Sequence, residues 1–236
     1  MSDSRLDKVA VALDTSDADE FRRWCRLFGP RVGVLKVGLE CFYRLGPSAI
    51  EQARRHAQSL FLDLKLHDIP NTVAGAVSAV EAMGADYLTV HSSGGRAMLD
   101  EAVARATTVK LLAVTLLTHL DAGELERLGL TGSGPARVES WARLALEAGC
   151  AGAVSSPLEL DVLRPALPHP FLLVTPGIRP AGVDRNDQRR VSTPREALAA
   201  GADLLVIGRP LTRSSDPGAA LERLAEEIEG SGERSG

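Results

Sequence analysis

In the run Asp63-Leu64-Lys65-Leu66-His67-Asp68-Ile69-Pro70-Asn71-Thr72, two carboxylates and one ammonium group fall within six residues, where a buried strand should be ending. Leu60 to Leu66 reads as that strand, so Leu62, Leu64 and Leu66 share one face while Asp63 and Lys65 share the other. Pro70 biases Ile69 away from helical geometry, and Val73, Val77 and Val80 follow at helical spacing. His67 to Asn71 therefore reads as a strand-to-helix connection, with Asp68 on it at the strand's C-terminal end. A lysine between two carboxylates has its ammonium form stabilised. That disfavours a Schiff-base role, which needs a neutral amine, and suits donation of a proton to a carbanion or stabilisation of developing negative charge. Lys36, on the preceding strand, would extend the set into an alternating Lys-Asp-Lys-Asp array. A structural salt-bridge network fits the same residues. So does a divalent ion on Asp63 and Asp68, but Lys65 would repel the ion, and no H-x-x-H, C-x-x-C or acidic cluster completes a coordination shell. A metal-free site is expected.

Positioning these groups requires a scaffold, and the chain alternates short apolar runs with helical patterns throughout. Eight strands are predicted: Val9 to Leu13, Val32 to Val37, Leu60 to Leu66, Tyr87 to His91, Leu111 to Leu116, Gly152 to Ser155, Phe171 to Val174 and Leu204 to Ile207. Helices are predicted at Ala18 to Phe28, Pro47 to Ala57, Thr72 to Met83, Gly95 to Ala106, Pro135 to Ala148, Leu158 to Leu167, Pro194 to Ala199 and Pro217 to Ile228. Gly84-Ala85-Asp86, Gly149-Cys150-Ala151 and Gly201-Ala202-Asp203 read as helix C-caps feeding the next strand. Eight βα units in 236 residues point to a single (β/α)8 TIM barrel, with an open doubly wound sheet as the alternative. One domain over residues 1–236 is expected, with its core at 8–229 and a disordered polar tail at 230–236.

In such a barrel the chemistry belongs where strands end and βα loops begin. Polar groups recur there: Asp14 after the first strand, Lys36 on the second, Asp63 and Lys65 on the third, and Thr118 after the fifth. The loops after the seventh and eighth strands carry Pro176-Gly177-Ile178-Arg179 and Gly208-Arg209-Pro210, which suit a phosphate group through close backbone approach and bidentate arginine. His67 and His91 near strand ends, the Ser92-Ser93-Gly94-Gly95 turn and the Thr131-Gly132-Ser133-Gly134 loop have simpler structural readings.

Composition narrows the classes further. A 44% hydrophobic chain of net charge −4 and pI near 5.8 can bury a full core and offers no basic stripe for nucleic acid. No apolar run approaches the ~20 residues of a membrane helix, and the polar start Met1 to Lys8 lacks a signal core, so a cytoplasmic location is expected. Cys25, Cys41 and Cys150 are scattered and read as unpaired thiols in reducing surroundings.

The Asp63-to-Thr72 run resembles the signature of the orotidine 5'-phosphate decarboxylase family. Val11-Ala12-Leu13-Asp14, Leu35-Lys36-Val37-Gly38, Val174-Thr175-Pro176-Gly177-Ile178-Arg179, Asp187-Gln188-Arg189-Arg190 and Val206-Ile207-Gly208-Arg209-Pro210 match that family in the same order, from about Lys8 to Ile228. The D-x-K-x-x-D core alone is shared with related sugar-phosphate lyases; the Ile-Pro-Asn-Thr continuation is more specific. The resemblance implies a carboxy-lyase that decarboxylates orotidine 5'-monophosphate to uridine 5'-monophosphate, the last step of pyrimidine synthesis, without metal or organic cofactor. It implies Lys65, Asp63, Asp68 and Lys36 at the chemistry. It places the phosphate on Arg209, Gly208, Arg179 and Gln188, the ribose hydroxyls on Asp14 and Lys36, and the base region near Thr118. It also implies a homodimer in which Asp68 and Thr72 enter the neighbouring subunit's site. Some relatives carry a serine after the fifth strand where this chain has Leu117-Thr118-His119-Leu120-Asp121. A magnesium-dependent sugar-phosphate decarboxylase or aldolase, and a non-catalytic phosphate-binding barrel, remain the alternatives.

Overall fold

The computed structural model describes residues 4–130, 132–180 and 191–230. Eight parallel strands close into a barrel in chain order, with β8 returning to pair with β1. They are β1 (Val9–Ala12), β2 (Val34–Gly38), β3 (Ser59–Leu66), β4 (Tyr87–His91), β5 (Lys110–Val114), β6 (Gly152–Val154), β7 (Leu172–Thr175) and β8 (Leu204–Ile207). The helices are α1 (Ala18–Phe28), α2 (Leu39–Leu45), α3 (Pro47–Arg54), α4 (Pro70–Ala82), α5 (Gly95–Arg105), α6 (Ala122–Arg127), α7 (Gly134–Ala148), α8 (Leu160–Ala166), α9 (Pro194–Ala199), α10 (Arg209–Thr212) and α11 (Pro217–Glu229). The closed barrel thus replaces the open doubly wound alternative.

The strands read as near-continuous apolar runs because both their faces are buried. Outward residues such as Val11, Leu35, Leu62 and Leu88 pack with the helices. Inward residues Ala10, Val34, Phe61, Leu112, Val174 and Leu204 form a separate plug in the barrel interior. Along one strand the inward set recurs every second residue, so Lys36 stands above Val34, Asp63 above Phe61, and Thr89 above Tyr87. The plug is the floor on which the polar layer rests.

Helix ends follow local chemistry. Asp17 caps α1 by accepting from the Asp19 and Glu20 amides, and the helix then buries Phe21, Trp24, Cys25 and Phe28 at helical spacing. The glycines of the three strand-feeding triplets have φ of 74°, 92° and 99° at Gly84, Gly149 and Gly201, as expected of helix C-caps. The two aspartates in these triplets do more than lead into a strand. Asp86 accepts from the Leu60 amide at 2.7 Å and Arg54 at 2.8 Å; Asp203 accepts from the Leu173 amide at 2.7 Å and pairs with Arg164. Each ties the start of the preceding strand to its neighbour, closing the end of the barrel opposite the predicted site.

Several boundaries differ from expectation. Strand β2 begins at Val34 rather than Val32, and β5 runs from Lys110 to Val114 rather than to Leu116. Helix α4 starts at Pro70, which occupies the first turn where no amide is needed, so Pro70 and Asn71 are helical rather than part of the loop. The predicted Leu158-to-Leu167 helix divides into a 3-10 turn at Pro157–Glu159 and α8, which contains Pro165. Helices α2, α6 and α10 were not predicted.

Candidate active site

At the C-terminal ends of β1, β2 and β3 the inward charges meet as a chain of ion pairs. Lys36 Nζ lies 3.5 Å from Asp14 Oδ1 and 3.2 Å from Asp63 Oδ2, and Lys65 Nζ lies 2.7 Å from Asp63 Oδ1. Lys36, Asp63 and Lys65 stand in the order expected, but Asp14 at the Lys36 end completes the alternation in place of Asp68, which does not join it. Its burial is graded. Lys36 is almost fully buried, the Asp63 side chain is 16% exposed, and Lys65 and Asp14 open toward the barrel mouth at 30% and 52%.

Burial alone would destabilise the Lys36 charge, but the carboxylates of Asp63 and then Asp14 outweigh it, and its pKa lies above the ordinary lysine value. Burial would likewise raise Asp63, yet Lys36 and Lys65 pull it down to about 2. Asp63 is therefore an anion with both oxygens engaged by ammonium groups. A divalent ion would have to displace two lysines to reach it. Among the described residues, no group of three or more His, Cys, Asp or Glu side chains is placed to hold a metal ion.

The backbone at Lys65 is unusual. Lys65 has φ of 50°, the single positive φ among described non-glycine residues. Between Leu62 and Leu66, β3 advances four residues while β4 advances two, from Leu88 to Val90. This irregularity is the bulge-like device by which a strand end re-aims a side chain. On β4, Thr89 meets the displaced segment: its hydroxyl accepts from the Lys65 amide at 2.8 Å and lies 3.0 Å from Asp63 Oδ1.

Beside the array is a cavity of about 180 Å³, bounded by Lys36, Asp63 and Lys65 on one side and by Val114, Val154 and Val174 among others. Thr118, after β5, also lines it. Arg179 follows β7, is 7% exposed, and its backbone amide bonds Ser192 O at 2.9 Å. Gly177 beside it has φ of 80°, a conformation that favours glycine. Gly208 and Arg209 follow β8 at the start of α10. The opposed charges, apolar wall and two arginine loops thus share the C-terminal end of the barrel.

The sequence matches the family described as "Orotidine 5'-phosphate decarboxylase / HUMPS family" over residues 7–224. The chain belongs to the orotidine 5'-phosphate decarboxylase family. It is 48% identical to the orotidine 5'-phosphate decarboxylase of Thermobifida fusca, with 95% of this chain and 97% of that one covered. The Anaeromyxobacter sp. (strain K) protein of the same name is 49% identical over 93% of this chain and 97% of its own. Among solved structures, orotidine 5'-phosphate decarboxylase from Lactobacillus acidophilus superposes with a TM-score of 0.80 at 36% identity, covering 93% of this chain and 98% of that one.

Not all positions expected from the orotidine 5'-phosphate decarboxylase family join the array. Asp68 lies on the exposed loop after β3, and its carboxylate accepts from the adjacent Ile69 amide at 2.7 Å. Among the described residues no ion pair joins it to Lys65. Thr72 is exposed in the first turn of α4. Gln188, with Asp187, Arg189 and Arg190, lies outside the described residues, as does Thr131. His91 approaches the array, but burial, with His67 and Lys65, holds its pKa down to about 4, so it is neutral near pH 7. Burial pushes all three cysteines up to about 12, which makes them inert core thiols.

Two residues at the site had no role assigned from the sequence. Thr89 looks like any strand threonine, and only its register opposite the bulge reveals it. Gly38 ends β2 against the charges: a Cβ there would lie 2.7 Å from Asp14 Oδ1 and 3.2 Å from Lys36 Nζ. A K-x-G spacing at a strand end was the available signal.

Proposed function

We propose that this chain decarboxylates orotidine 5'-monophosphate to uridine 5'-monophosphate and carbon dioxide, with Lys65 as the proton donor. The observation that carries the assignment is the ion-pair chain Asp14, Lys36, Asp63, Lys65 at the barrel mouth. When the bond from C6 of the pyrimidine to its carboxylate breaks, both electrons stay on C6 and carbon dioxide departs. The Lys65 ammonium stabilises that negative charge and transfers its proton to C6; solvent then returns a proton to Lys65. The apolar side of the cavity suits a departing product without charge.

Asp63 is held ionised next to where the substrate carboxylate must sit. Two like charges about 4 Å apart repel by about 1 kcal/mol in water and about 4 kcal/mol at an effective dielectric of 20. Such repulsion is small beside the barriers enzymes must lower, so stabilisation of the transition state by Lys65 is the larger contribution. Binding of the remote phosphate on Arg179, Gln188, Gly208 and Arg209, and of the ribose on Asp14 and Lys36, supplies the energy that holds the substrate carboxylate near Asp63. Thr118 faces the base region. The active form is a homodimer in which Asp68 and Thr72 reach the partner's site.

The test is Lys65→Ala, assayed by loss of orotidylate absorbance. Turnover falls by about a thousandfold or more, while uridine 5'-monophosphate binds within about tenfold of wild type, since 1.4 kcal/mol is one decade. Near-normal turnover in the variant would sink the assignment. The wild type retains its rate with a chelator present; loss of activity there would favour the magnesium-dependent sugar-phosphate chemistry instead.

A further inference from the structure

The geometry points to Thr89 as a positioning residue that couples the Asp63 carboxylate to the strained Lys65 backbone, an inference that rests on Asp63 and Lys65 being the reacting pair. Thr89 is completely buried on β4. Its hydroxyl has one proton to give and two lone pairs to receive. The Lys65 amide can only donate, so the hydroxyl accepts that bond at 2.8 Å. An ionised Asp63 can only accept, so the hydroxyl proton points to Asp63 Oδ1 at 3.0 Å. The two partners fix the direction of the relay without ambiguity.

Each end of this relay does something specific. Lys65 adopts φ of 50°, a conformation that is unfavourable for a residue with a side chain and persists only where surrounding contacts enforce it. Its amide faces β4 where the ladder has slipped, and the Thr89 hydroxyl supplies an acceptor there. At the other end, Asp63 Oδ1 receives both Thr89 and Lys65 Nζ, while Oδ2 receives Lys36. The carboxylate is thereby clamped from three strands. Side chains held by such supporting bonds keep reacting atoms within the small tolerance catalysis requires.

A threonine that merely filled space would be replaced at little cost by the isosteric valine. The relay predicts otherwise. Thr89→Val is expected to lower kcat about thirtyfold or more, with uridine 5'-monophosphate binding within about threefold of wild type. Thr89→Ser, which keeps the hydroxyl and drops the methyl, should stay within about threefold of wild-type kcat. Where Thr89→Val fails to fold, Thr89→Ala is judged by the same limits. The inference is overturned if the hydroxyl-free variant keeps kcat within threefold, if it loses nucleotide binding in step with kcat, or if Thr89→Ser is equally impaired. Lys65→Ala run in parallel separates the premises: an active Lys65→Ala removes both readings, whereas an inactive one beside an unimpaired Thr89→Val removes this one alone.

Discussion

Gly38 stands where one added methyl group would push Asp14 away from Lys36. Its backbone, at φ −96° and ψ −177°, is open to any residue, so the constraint is space alone. A Cβ would press on Asp14 Oδ1 at 2.7 Å and on Lys36 Nζ at 3.2 Å. Asp14 is the half-exposed partner and is the one free to swing away, leaving Lys36 held by Asp63 only. Gly38→Ala is therefore expected to fold normally and to lower kcat/KM about tenfold, the scale of one charge-assisted hydrogen bond. Steady-state kinetics beside a melting curve checks this, and unchanged kcat/KM would show that Asp14 contributes nothing through its contact with Lys36. Lys36, Asp63 and Lys65 were legible as a set in the sequence because three ionisable residues recur on adjacent apolar strands, whereas Asp14 was legible only as a polar strand end and not as the array's fourth member. Thr89 and Gly38 were not legible, since a threonine in a strand and a glycine at its end carry no anomaly until the neighbouring strand is in place.

Glu81 shows the same dependence on neighbours between elements. Near the C-terminal end of α4, its carboxylate accepts from the amides and hydroxyls of Thr107 and Thr108 and from the Val109 amide, in the connection from α5 to β5. The Thr108 hydroxyl leads these contacts in lowering its pKa from 4.5 to about 2. A carboxylate depressed by folding adds stability above its unfolded pKa and loses it as pH falls through the folded value. Glu81→Gln should thus lower Tm by about 2–4 °C at pH 7, with the gap to wild type closing between pH 4.5 and about 2. Thermal melts at pH 7 and pH 3 check it; a gap that persists undiminished at pH 3 would show that the carboxylate charge is not the cause. The eight strands and the long helices were legible from period and caps, whereas α2 was not. Of its seven residues only Cys41 is fully buried, with Phe42 and Leu45 partly buried against the core, and seven residues are too few for a period to stand out. Helices α6 and α10, six and four residues long, are too short for a period to register. Strand β3 was legible in its alternation but not in its slip at Lys65, which arises from pairing with β4.

The features that α2 hides from its own barrel bear on the whole molecule. Leu39 and Tyr43 on α2 are 39% and 80% exposed, and Ile69, beside Asp68 on the next βα loop, is 67% exposed. Exposed apolar groups near a carboxylate that does not join its own chain's array suit a contact with a second copy. In a two-fold dimer each site would take Lys65 from one chain and Asp68 from the other. Lys65→Ala and Asp68→Ala homodimers should then both be inactive, yet restore activity when mixed under conditions of subunit exchange. In the mixed dimer, the site built on the Asp68→Ala chain keeps its own Lys65 and receives an intact Asp68, while the companion site has neither. Random pairing makes about half the dimers mixed and half of their sites whole, so activity should return to about a quarter of wild type per site. Turnover measured against mixing ratio should peak at equal proportions, because only mixed dimers carry a whole site. No recovery, with exchange demonstrated and both parents inactive, would place Asp68 in its own chain's site and leave the apolar face around Ile69 without this role.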